Sequence, residues 1–185
     1  VVNVTPPSDA YGALVFNSDP EFYWRFDEAG GATAVDSSAQ QVSGVFSGDY
    51  VRGSAGALPG GVGSALTFRK TTCDWWQLGC SSTNGGSIAT SVSYTNPTSY
   101  SVETWFKTTS TQGGRLVGFS SNQTGDSSSY DRHVYMQDDG KLVFGTWTEQ
   151  TNTITTPQAY NDGQWHYVAA SQGSDGMRLY VDGVA

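Results

Sequence analysis

Large apolar and polar residues alternate along several short stretches of this chain. In the clearest, residues 100–107, Tyr100, Val102, Thr104 and Phe106 share one side while Ser101, Glu103, Trp105 and Lys107 share the other. This two-residue period predicts a strand, because successive side chains of extended backbone point to opposite faces. Aromatic residues on both sides predict a sandwich strand whose outer face is also covered, with Trp24, Trp105 and Trp165 in the core. Similar strand segments follow at 116–120, 133–137, 142–147, 151–156, 165–171 and 177–181. Asp138-Asp139-Gly140 predicts a hairpin between two of them, and the turn at 173–176 predicts another.

The pattern is looser before residue 98. Residues 1–8, with Pro6 and Pro7, read as a linker, and Ser8 or Asp9 caps a short helix near 9–17 bearing Tyr11, Leu14 and Val15. Pro20 ends that helix. Phe22, Trp24 and Phe26 then alternate with Tyr23 and Arg25, which predicts the first strand. Segments 42–50 and 64–68 add strands between Gly-rich turns, and 87–94 adds one more. The polar stretch 69–98 reads as an insertion.

Composition agrees with an all-β, antiparallel sandwich. Only 14% of the 185 residues are charged, 13% are aromatic and 23 are glycine, the balance of short strands joined by tight turns. The length fits one domain, expected over 9–185. Nine Lys and Arg against seventeen Asp and Glu leave a net charge of −8. Nucleic-acid binding depends on cations that neutralise phosphates, so no nucleic-acid partner is expected. No apolar run is long enough for a transmembrane segment, and the reading expects any export signal to have been removed.

The two cysteines, Cys73 and Cys80, read as a local disulfide. Such a bridge would be worth about 2–3 kcal/mol and would require an oxidising compartment. A zinc site is disfavoured because His133 and His166 are the only histidines.

Three segments together resemble the laminin-G-like branch of the concanavalin A-like lectin/glucanase jelly rolls. The run from Asp19 to Glu28, followed by Ala34-Val35-Asp36-Ser37-Ser38, resembles the family's opening strand and first loop. The run from Tyr100 to Lys107 is similar to its most recognisable strand. Asp162-Gly163-Gln164-Trp165-His166-Tyr167-Val168-Ala169, with the run from Met177 to Gly183, is similar to its late hairpin. The resemblance spans 19–185 and implies an antiparallel jelly roll, here expected to lack its closing strands. It further implies a secreted or cell-surface module for adhesion or carbohydrate recognition.

Candidate sites follow. Glycosidases of this architecture place paired carboxylates on one strand face, whereas Glu103 has Ser101 and Trp105 two positions away and reads as a buried structural acid. Asp131 and His133 are expected on one strand face, but no nucleophile is evident beside them. The chain is therefore read as non-catalytic. Calcium would need several oxygen ligands, for which Asp36 and Ser37 in one loop, and Asp126 and Asp131 in another, are the candidates. A glycan or glycoprotein ligand would use aromatic faces beside hydrogen-bonding groups. Trp75 and Trp76 in the cysteine loop and Tyr130, Asp131 and Arg132 are the candidates for that role. The alternative function is a spacer or protein-interaction domain of a larger surface protein, completed by a complementary peptide or chain that supplies the missing strands.

Overall fold

The computed structural model describes residues 4–69, 85–125 and 127–185. They fall into two compact units, Val1–Ser93 with Asn122–Asp126, and Tyr94–Ser121 with Ser127–Ala185.

The first unit opens with helix α1 (Ala10–Asn17). Asp9 is its N-cap and accepts the Gly12 N–H at 2.7 Å, satisfying a backbone donor that has no partner within the helix. The same carboxylate pairs with Arg25 at 2.6 Å, tying the helix start to the segment that follows. That segment is not the strand its alternation predicts. Trp24 forms a single antiparallel bridge with Asp36, and Phe26 adopts a φ of 62°, which takes the backbone out of the extended region.

The strands of this unit are β1 (Thr33–Ala34), β2 (Gly44–Ser47), β3 (Tyr50–Ala55), β4 (Ser64–Phe68) and β5 (Ser87–Thr90). They form a β1-β2-β5 sheet and a separate β3-β4 pair. The Gly-rich segment 42–50 thus divides between two strands instead of forming one.

The second unit is the antiparallel sandwich. One sheet joins β6 (Tyr100–Phe106), β11 (His166–Gly173) and β12 (Gly176–Val181) in the order β12-β11-β6. The other joins β7 (Gly114–Ser120), β8 (Tyr130–Met136), β9 (Lys141–Trp147) and β10 (Thr151–Ala159) in the order β10-β9-β8-β7. Alternation directs Phe106, Val168, Ala170, Leu179 and Val181 from the first sheet into one core with Val134, Met136, Leu142 and Phe144 from the second. Each large side chain removed from water contributes roughly 1.5–3 kcal/mol. The β8–β9 turn falls where Asp138-Asp139-Gly140 predicts it, and Gly140 has a φ of 85°. A Cβ there would also collide with the Asn161 side chain.

Two expectations on the outer side of the three-stranded sheet change. Trp105 is 36% exposed and lies beside Tyr167, with ring centroids 5.2 Å apart. Glu103 is an exposed residue whose carboxylate accepts the Tyr167 hydroxyl. Cross-strand pairing explains both, since Trp105 is opposite Tyr167 and Glu103 is opposite Ala169.

The late hairpin is stapled at His166. Its Nδ1 lies 2.8 Å from Asp182 and its Nε2 lies 3.1 Å from Asp162. Carboxylates only accept, so satisfying both contacts requires both ring nitrogens to donate, which is the imidazolium form. Burial opposes that charge, but the hydrogen bonds that His166 donates to Asp182 and Asp162 outweigh it and raise the His166 pKa above its ordinary 6.5. This stability is fully present below about pH 6.5 and is lost as pH rises through the elevated folded value. The thermal midpoint is expected to fall by a few degrees between pH 6 and pH 8.5 through this group, and His166→Gln is expected to remove that component. A wild-type and variant difference that stays constant across this range would show that the staple is not charged.

Candidate functional site

A β-bulge decides where the residues around 131 point. On β7, Val117 is opposite Val134 and Phe119 is opposite Asp131, so Gly118 alone faces both Arg132 and His133. Arg132 has a φ of 46°, the left-handed geometry that a bulge accommodates. Any Cβ on Gly118 would run into His133.

The bulge separates Tyr130, Asp131 and Arg132. Arg132 is only 7% exposed; its guanidinium pairs with Asp131, and its Nε donates to the Pro97 carbonyl at 2.9 Å. Asp131 also accepts the Arg132 and Trp147 backbone N–H groups, both at 2.7 Å. These two residues hold the end of the sheet together and do not form an exposed rim. No hydrogen bond joins Asp131 to His133, and the Asp131 carboxylate acts on the ring only through its charge. Tyr130 is 51% exposed and is the member of the trio positioned to meet a ligand.

Tyr130 helps to line an open cleft of about 300 Å³ with Arg115, His133 and Tyr135. Register brings these residues together: Arg115 on β7 is opposite Tyr135 on β8, and His133 is opposite Gly145 on β9. The His133 ring lies over Gly145, close enough that a Cβ at that position would be in van der Waals contact with it. The Arg115 guanidinium lies 4.9 Å from the Tyr130 ring centroid, and the His133 and Tyr135 rings meet edge to face at 5.1 Å. Burial first, and then the Arg115 charge, hold the His133 pKa below its ordinary 6.5, partly offset by Asp131. His133 is therefore a neutral donor and acceptor at pH 7. Trp147, 58% exposed, stands at the same end of the sheet as Tyr130.

Sequence reading missed Arg115 and Tyr135 as site residues and gave His133 no ligand role. The available signal was glycine within strands, at Gly118 and Gly145, which marks a bulge or a close approach.

In the other unit, Asp36 is 8% exposed and Ser38 is fully buried. Asp36 Oδ1 accepts the Tyr23 and Ser38 N–H groups at 2.7 and 2.8 Å. Its Oδ2 accepts the Ser38 hydroxyl and the Val42 N–H, both at 2.6 Å. Four donors occupy the four lone-pair positions of the carboxylate. The Ser37 N–H donates to the Tyr23 carbonyl at 2.8 Å. As the chain folds, neither Asp36 nor Asp131 presents an open pair of oxygens to a calcium ion. Among the described residues, no three His, Cys, Asp or Glu side chains converge as a metal-ligand set. Asp126, Cys73, Cys80, Trp75 and Trp76 lie outside the described residues.

No described helix is long and apolar enough to cross a membrane. No curated protein and no solved structure matches the chain. The family model described as the concanavalin A-like lectin/glucanases superfamily, of laminin-G type, matches residues 81–185. This span includes the segments around Trp105 and His166, but not the opening segment at Asp19.

Proposed function

Since the chain belongs to the laminin-G-type family of the concanavalin A-like lectin/glucanases superfamily, we propose that it is an extracellular, non-catalytic recognition module that binds a carbohydrate chain in the cleft lined by Arg115, Tyr130, His133 and Tyr135. The observation that carries this reading is the half-exposed Tyr130 ring beside His133, Tyr135 and Arg115. An aromatic face covers the apolar C–H face of a sugar, while neighbouring polar groups meet its hydroxyls. Tyr130, Tyr135 and His133 provide apolar ring surface with hydrogen-bonding atoms at its margin. Register on adjacent strands fixes their spacing before a ligand arrives, limiting the ordering cost of binding. No carboxylate lines the cleft, so the paired acids needed for glycoside hydrolysis are not assembled there.

A broad glycan array, probed with the purified chain in calcium and again with chelator, tests this function. Binding is expected, and Tyr130→Ala should weaken it about tenfold, the effect of losing roughly 1.4 kcal/mol of aromatic contact. The variant's thermal midpoint should remain near wild type because Tyr130 is exposed. Trp75→Ala/Trp76→Ala provides the comparison that separates the cleft from the cysteine loop. Glycan binding untouched by Tyr130→Ala but lost in the tryptophan variant would move the site to that loop. Silence from the folded protein in both conditions would end the carbohydrate reading.

A further inference from the structure

Resting on that reading of the cleft, we propose that the sugar it takes is acidic: Arg115 holds a carboxylate or sulfate substituent while Tyr130 covers the ring that bears it. Among the described residues, four of the six arginines pair with a carboxylate. Asp and Glu outnumber Lys and Arg by seventeen to nine, so an arginine normally has an acidic partner available. Arg25 holds Asp9 and Asp27, Arg52 holds Glu28, Arg132 holds Asp131 and Arg178 holds Asp175. Arg115 is exposed on β7 and has no carboxylate partner among the described residues.

The position of Arg115 makes this difference chemically useful. The guanidinium is held beside the Tyr130 ring at 4.9 Å, a contact that restricts its rotamers and leaves its N–H groups able to donate. A planar guanidinium forks onto two oxygens of one anion, and charge-assisted bonds of this kind are about twice as strong as neutral ones. Arg115, His133 and two tyrosines line the cleft without an acid, so an arriving anion meets no opposing carboxylate inside it. The nearby Asp131 is committed to Arg132 and to two backbone N–H groups.

The test is an array of matched pairs. Uronate-, sialate- and sulfate-bearing glycans are printed beside their methyl-esterified, desialylated and desulfated counterparts and probed with wild type, Arg115→Gln, Arg115→Lys and Tyr130→Ala. Wild type should bind the acidic member of a pair at least tenfold tighter. Arg115→Gln should erase that preference, Arg115→Lys should retain part of it, and all variants should show wild-type circular dichroism. The chemical class of the retained pairs distinguishes carboxylate from sulfate. Equal binding of acidic and neutral members, lost in Tyr130→Ala, would overturn this inference and leave the glycan-binding function standing. An acidic preference unchanged in Arg115→Gln would overturn it as well. No binding by any folded form would overturn both.

Discussion

Phe144→Ala should destabilise the sandwich by about 4 kcal/mol, the middle of the range for deleting a buried phenylalanine ring. Phe144 is fully buried and clusters with Val134, Leu142, Val168 and Leu179. Its ring meets Tyr100 edge to face at a centroid distance of 6.4 Å. Removing it takes away contacts with both sheets and leaves a cavity that neighbouring strands can only partly close. A change of this size corresponds to a fall of roughly 10 °C in thermal midpoint for a chain of this length. Phe144→Leu, which keeps most of the apolar volume, should cost about 1.5 kcal/mol. Both variants can be measured by denaturant titration followed through tryptophan fluorescence. A loss below about 1 kcal/mol in Phe144→Ala would show that the two sheets do not meet at this residue.

Asp36→Ala should cost about 3 kcal/mol. The substitution leaves four donors without their acceptor, namely the Tyr23, Ser38 and Val42 N–H groups and the Ser38 hydroxyl. Stranded buried donors lose more than the bond they made, at about 1–3 kcal/mol each before relaxation and rehydration. Asp36→Asn should also destabilise, because its amide NH₂ replaces an acceptor with another donor. The midpoint shift should be the same in millimolar calcium and in chelator, since the carboxylate organises its own loop. If calcium instead raised the wild-type midpoint by several degrees but left Asp36→Ala unchanged, Asp36 would be a calcium ligand and its loop would have to open to bind.

The strands of the second unit were largely legible because burial at every second residue is a local property. The alternations through Val102 and Phe106, through Val168 and Ala170, and through Leu179 and Val181 predict β6, β11 and β12 within a residue or two of their observed bounds. The same rule misled at Phe22, Trp24 and Phe26. There, Phe26 turns to positive φ, and the Asp36 hydrogen-bond network organises the segment in place of a strand ladder. It misled again at Trp105, whose outward ring packs beside Tyr167 and remains partly in solvent.

The candidate site was legible only at Tyr130. Arg115 and Tyr135 are twenty residues apart in sequence and become neighbours through the β7–β8 register. A strict period of two cannot place Arg132, because the bulge opposite Gly118 changes which way the strand's side chains face from that point. The sequence by itself determined most strands of the second unit and the hairpin at Asp138-Asp139-Gly140, since these depend on neighbours one to four positions away; the residues of the core, and the course of the chain around Phe22 to Phe26, it did not. Tertiary structure alone decided that Arg132 is spent on Asp131 while Arg115 remains available over Tyr130. Those partnerships depend on strand order, register and two irregularities in the β7–β8 pairing, which arise from many weak contacts between residues distant in sequence.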